Sequence, residues 1–132
     1  MANFPPQGID IPNIGSLYFR KSGRYFGSAI GAAMAAVSRN TDTLFAIPFI
    51  VVKDESFDSL AIEVTVAGAA GKLVRLGIYN NQTGQDPVPG SLLVDAGTAA
   101  IDSTGVKEIP ISVNLTKGIY WLAYLANDTV TV

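Results

Sequence analysis

The side chains best placed to do chemistry in this sequence are its carboxylates, amides and tyrosines, because it contains no histidine and no cysteine. Without imidazole there is no Ser–His–Asp triad, no Cys–His pair and no ordinary zinc site. Without thiols there are no disulfides, thiolate metal ligands or cysteine nucleophiles. Carboxylate pairs, Ser–Lys pairs and oxygen-ligand metal sites remain. A glycosidase needs two carboxylates facing each other across a cleft. Here Asp42, Asp54, Asp58, Asp86, Asp102 and Asp128 fall at strand ends or turns, while Glu63, Asp95 and Glu108 fall within strands, where sequence alone does not place them as a pair. The acidic group Asp54, Glu55 and Asp58 could offer oxygen ligands to calcium, but it lacks the glycine and terminal glutamate of an EF-hand loop. A solvated turn accounts for it. The expectation is a protein that is not an enzyme, with no catalytic residue, no metal site and no cofactor.

Binding chemistry has more material. Asn80, Asn81, Gln82 and Asp86 belong to a polar loop, Asn80 to Gly90, whose amides can donate and accept hydrogen bonds to sugar hydroxyls. Loops at the end of a rigid scaffold are common binding sites, although the same residues also build long turns. Tyr120 and Tyr124 are the other candidates. Strand alternation groups Trp121 with Ile119, Ala123 and Leu125, an apolar set that predicts a core position for the indole. Tyr120 and Tyr124 then lie on the opposite face with Leu122, as an aromatic platform for a glycan or, more commonly, as an amphipathic subunit contact.

The elements that would position these residues read as strands and turns. Leu60, Ile62, Val64 and Val66 alternate with Ser59, Ala61, Glu63 and Thr65; Gly68 to Gly71 is a turn; Val74, Leu76 and Ile78 then alternate with Leu73, Arg75, Gly77 and Tyr79. Further strands are expected at Leu92 to Ala99, around Ile109, Ile111 and Val113, at Ile119 to Leu125 and at Val130 to Val132. Pro48 and Pro110 sit within strand patterns and predict an edge or a bulge, because proline cannot donate to a ladder. The last strand is expected to be a short edge or to be completed by another element, which a neighbouring subunit could supply. Upstream, Met1 to Gly15 holds Pro5, Pro6 and Pro12 with no sustained periodicity and reads as an extended arm. Tyr18, Phe19, Tyr25 and Phe26 flank a turn at Lys21–Ser22–Gly23, as in a short hairpin or two strand fragments. The alanines of Ser28 to Val37 favour helix, but the stretch lacks polar positions for a solvent face and reads as a strand pairing back on Leu44 to Val52. The division is thus an arm over 1–15 and a β-sandwich domain over 16–132.

Composition bounds the partners. The 132 residues make one domain. Nine Lys and Arg against eleven Asp and Glu give a net charge of −2, with the basic residues scattered singly rather than in the stripe that nucleic acid requires. The longest apolar run, Leu44 to Val52, is well short of the roughly 20 residues of a membrane helix, and Met1 to Asp10 lacks the pattern of a signal peptide. A soluble chain without membrane insertion is expected. Hydrophobic residues reach 48% and charged residues only 15%, so apolar surface is left over that a partner subunit would cover. A homo-oligomer is the expectation.

A specific resemblance is carried by Leu44–Phe45–Ala46–Ile47–Pro48–Phe49, Phe57–Asp58–Ser59–Leu60–Ala61–Ile62 and Arg75–Leu76–Gly77–Ile78–Tyr79. It continues through Pro89–Gly90–Ser91–Leu92–Leu93–Val94–Asp95–Ala96–Gly97, the turn Ser103–Thr104–Gly105 and Gly118–Ile119–Tyr120–Trp121–Leu122–Ala123, with Gly23–Arg24–Tyr25–Phe26 upstream. In this order the segments resemble a recurrent jelly-roll-like domain of tailed-bacteriophage and prophage virion proteins. The resemblance implies an all-β, jelly-roll-like antiparallel sandwich in a tail fibre, spike or head decoration, commonly a homotrimer. It further implies a virion location, assembly in the host cytoplasm, exposure on the particle and other virion proteins, such as the major capsid protein, as partners. It brings no functional residues with it. Similar patterns occur in secreted bacterial sandwich domains of carbohydrate-binding appearance, so the alternative is a receptor-binding module for a host glycan.

Overall fold

A computed structural model describes Gly23, residues 38–83 and residues 87–132. Among them are eight strands and no helix: β1 (Ser38–Arg39), β2 (Phe45–Val51), β3 (Glu55–Val64), β4 (Leu73–Asn81), β5 (Pro89–Ala100), β6 (Gly105–Leu115), β7 (Gly118–Ala126) and β8 (Val130–Thr131). The expected arm, the aromatic segment around the turn apart from Gly23, and Ser28 to Val37 lie outside the described residues. Gly23 has φ of 75°, as a turn at that position requires.

The chain forms two antiparallel sheets, consistent with a β-sandwich. One has the order β2-β7-β4-β5, and the other is built on the β3–β6 pair. β8 pairs with β1 and is joined to the end of β3 by the bridge Val66↔Thr131, with the Thr65 N–H donating to the Thr131 carbonyl at 2.8 Å. The second layer therefore runs β1-β8-β3-β6. The last strand is completed from within its own chain, because residues beyond β3 reach it, and a neighbouring subunit is not needed there. The ladders join the first strand to the eighth, the second to the seventh, the third to the sixth and the fourth to the fifth.

Alternation sets which side chains meet between the layers. Val74, Leu76 and Ile78 of β4 are buried, as the sequence pattern predicts. They meet Val64, Ile101 and Ile109 in one cluster, and Phe49, Val51 and Leu115 in a second. Phe57 packs edge-on against Phe49 with ring centroids 5.7 Å apart. Each fully buried aliphatic side chain of this kind contributes about 1.5–3 kcal/mol relative to exposure, and Ile78, Ile101, Leu115, Val51, Val64 and Val74 are the largest of them.

The prolines lie where their missing N–H is tolerated. Pro48 is in β2, at the rim of the described sheet, and Pro110 is in β6, opposite Ser59 where the register slips between Phe57 and Ser59. β5 also slips against β4. Gly97, with φ of 94°, sits at one bulge, in a backbone conformation that side chains resist. Among the described residues, no helix is long and apolar enough to cross a membrane.

Candidate functional site

β4 leaves its sheet at Asn81, and the loop that follows is closed by the Gln82 N–H donating to the Val88 carbonyl at 2.9 Å. The asparagines predicted as ligand contacts are engaged inside the protein. Asn80 Nδ2 donates to Ser91 Oγ at 3.2 Å, across to β5. Asn81 Nδ2 donates to the Gln82 carbonyl at 3.0 Å, and Asn81 Oδ1 accepts from Trp121 Nε1 at 3.0 Å. Both side chains thus hold the strand end to its neighbours. Gln82 is exposed. Asp86 lies outside the described residues.

Tyr120 and Tyr124 are half-buried, and their rings pack against the two core clusters. The Tyr120 hydroxyl donates to the Thr116 carbonyl at 3.0 Å, and Tyr124 stacks on Phe45 with centroids 5.4 Å apart and planes at 24°. The strand faces are therefore the reverse of the sequence expectation. Tyr120, Leu122 and Tyr124 look inward, and Trp121 lies on the outer face with Ile119 and Leu125. The indole is tolerated there because its N–H finds Asn81. The structure brings Asn80 beside Tyr120 in the β4–β7 register and Asn81 to Trp121, but it does not assemble an open tyrosine platform.

The acidic group also has a structural part: Asp54 Oδ1 accepts from the Lys117 N–H at 3.0 Å and so ties the turn before β7 to the turn after β2. At the opposite end, Asp128 Oδ2 accepts from the Ala69 N–H at 2.7 Å and Oδ1 from the Thr129 N–H at 2.8 Å. These two backbone donors hold its carboxyl below the usual carboxylate range. Asn127 adds a bond from the Leu73 N–H to its Oδ1 at 2.8 Å.

Two hollows lie near these elements. One, of about 300 Å³, opens between the layers beside the β3 bulge and is lined by Phe49, Phe57, Leu60, Ile78, Leu115 and Leu122, with Gly23, Asp58, Ser59, Ala61 and Glu108 also on its wall. The other was not foreseen from the sequence. It is a groove of about 260 Å³ on the outer face of the β2-β7-β4-β5 sheet. Its floor is the cross-strand pair Gly77 and Ala123, and its walls include Leu44, Tyr79, Leu92, Leu125, Arg75 and Asp95. Arg75 and Asp95 form a salt bridge along the rim, with Nε to Oδ1 at 3.0 Å. The guanidinium hydrogen bond, then the Gly97 N–H, lower the Asp95 carboxyl. The signal for this groove was the apolar run of β7, GIYWLAYLA, which has no polar face to give to water.

Comparison with protein-family models, with curated proteins and with solved structures returned no match. Among the described residues, these elements present an apolar groove with a closed charge pair on its rim, and polar side chains engaged in holding turns.

Proposed function

We propose that the chain is a non-enzymatic structural subunit of a bacteriophage virion, a capsid decoration or fibre adaptor that assembles as a homo-oligomer, with three copies favoured. The observation that carries this reading is the ladder order. First with eighth, second with seventh, third with sixth and fourth with fifth is the order of a long hairpin wound into a jelly roll. That architecture recurs in viral capsid proteins and in lectins. The resemblance of Leu44 to Leu125 to phage virion domains points to the first of these. The engagement of Asn80, Asn81, Tyr120 and Tyr124 inside the protein favours it over glycan recognition. The lack of histidine and cysteine supports a role without catalysis. In this reading Met1 to Gly15 contacts the particle, the sandwich faces outward, and the major capsid protein or another virion protein is the partner.

The test is incorporation. Particles of the phage or prophage that encodes the chain are purified on a density gradient and probed for it by immunoblot. The full chain is expected with the particles. A chain lacking residues 1–15 is expected to fold, by circular dichroism, and to stay in the unassembled fraction. Absence of the full chain from particles overturns the virion role, and undiminished incorporation of the truncated chain overturns the role of the arm.

A further inference from the structure

The outer face of the β2-β7-β4-β5 sheet is built for burial. Ile119 and Leu92 stand 41% and 51% exposed on it, beside Trp121, Tyr79 and Leu125. We propose that this face is the surface through which copies of the chain associate, with a second copy as its occupant. The inference rests on the homo-oligomer in the proposed function and is independent of the virion.

Three observations select a second copy. The first is size. Strands of nine residues in β4 and β7, at about 3.3 Å per residue and about 4.8 Å of width for each of four strands, give a flat footprint of roughly 570 Å². Side-chain relief adds to that, and a specific interface needs roughly 500 Å² or more from each partner.

The second is charge. Arg75 and Asp95 neutralise each other within one chain, so the face offers no net charge by which to select a charged protein, a polyanion or an anionic surface. Another copy can pack against it without stranding an ion.

The third is shape. The groove over Gly77 and Ala123 lies on the same face as the protruding Ile119, four residues along β7 from Ala123 and so about 13 Å away. A hole and a knob on one surface are what a symmetric assembly needs, because each copy must present both.

The experiment uses the full chain. Sedimentation equilibrium across a concentration series gives the assembly mass, with 13.9 kDa as one chain. The wild type is expected as an oligomer. Ile119→Lys and Leu92→Lys are each expected to weaken association by at least about tenfold, since each buries an unpaired cation, with an unchanged circular dichroism spectrum. Val106→Lys is expected to leave the mass unchanged, because Val106 is on the outer face of the other sheet. Because the chain has no cysteine, Ile119→Cys and Val106→Cys each carry a single thiol. A flexible bis-maleimide is expected to join copies through the first and not the second, which keeps the inference testable if a lysine variant misfolds.

An oligomer untouched by both lysines, or cross-linked only through position 106, overturns the assignment of the face and leaves the oligomer standing. A wild-type mass of one chain at every concentration overturns both, including the case in which the chain's own N-terminal residues cover the face. The virion role is then decided separately by particle incorporation.

Discussion

The two sheets show water different kinds of outer surface. On the β3–β6 pair, Leu60, Ile62, Val64, Ile109 and Leu115 turn inward, and the alternate positions carry Ser56, Ala61, Glu63, Glu108, Ser112 and Asn114, with Val106 and Pro110 as apolar exceptions. This is the pattern of an antiparallel sheet with one solvated face. On the other sheet the inward set is Val74, Leu76, Ile78, Leu122 and Tyr124, and the outward set is largely apolar as well: Leu73, Tyr79, Leu92, Ile119, Trp121 and Leu125, with the Arg75–Asp95 pair and Thr98 among them. A strand apolar on both faces is one buried on both faces. The contrast between the layers, rather than total hydrophobicity, places the surplus of apolar residues in the fold.

The largest effect that separates the two surfaces comes from adding bulk in mid-strand. A Cβ at Gly77 would sit 2.9 Å from the Val94 carbonyl oxygen and 3.3 Å from Leu92 Cδ1. Backbone cannot withdraw as a flexible side chain does, so Gly77→Val is expected to cost about 2–3 kcal/mol of folding stability. Ala61→Val, on the solvated face of β3, is expected to stay within about 0.5 kcal/mol. Urea unfolding of the two variants measures the difference, and equal costs would remove the packing distinction between the faces.

A second contrast uses charge. Asp95→Ala leaves Arg75 unpaired on the apolar face and is expected to weaken self-association by at least about tenfold. Glu63→Ala removes a carboxylate from the other face and is expected to leave association unchanged. Sedimentation reads both. Replacing the pair together, Arg75→Met with Asp95→Leu, is expected to restore association, because no ion is then stranded.

How much of this was legible follows from the same contrast. Where one face is polar, alternation tells inside from outside, so Leu60, Ile62 and Val64 read correctly, while Val66, grouped with them, lies past the end of β3 and is exposed. Val74, Leu76 and Ile78 read correctly beside the charge of Arg75 and the small Gly77 on the other face. In β7 both sets are apolar and the period-2 signal loses its contrast. Trp121 was expected inside because alternation groups it with the apolar Ile119, Ala123 and Leu125, but it lies outside, where Asn81 at the end of β4 supplies its hydrogen-bond partner. The asparagines were legible as a strand end and not as internal fasteners, since Ser91 and Trp121 are remote in sequence. The pairing of β1 with β8 was likewise invisible. It joins Ser38 to Thr131, and alternation carries no record of which distant strand lies alongside.

Trp121, the one tryptophan of the chain, gives a smaller and more local measurement. Trp121→Phe leaves Asn81 Oδ1 without its donor and is expected to cost about 1 kcal/mol in urea unfolding. In the unsubstituted protein, indole emission is expected to shift to shorter wavelength as concentration rises and the outer face is covered. Emission independent of concentration in a protein that does associate would move the interface away from β7.

The smallest effect concerns the end of the sandwich, where the connections between the layers are fastened. Asp128 holds the Ala69 N–H in the β3–β4 connection and the Thr129 N–H in the β7–β8 turn, so one carboxylate spans both crossings. Its carboxyl is lowered by those donors in the native state. A lowered native pKa means that the unfolded chain binds the proton first on acidification. The stabilisation is therefore complete above the unfolded value of about 4 and is lost as pH falls below it, through the native value. Asp128→Asn is expected to be slightly less stable than wild type at pH 7 and to lose less on moving from pH 5 to pH 2.5. Thermal unfolding at several pH values measures this, and parallel profiles for the two proteins would mean that the ionised carboxylate does not hold the layers together. Because Asp128 lies at the joint rather than on either face, its substitution is expected to leave the assembly mass unchanged. Stability and association would then be separable, with the joint holding the layers to each other and the proposed interface left as it was.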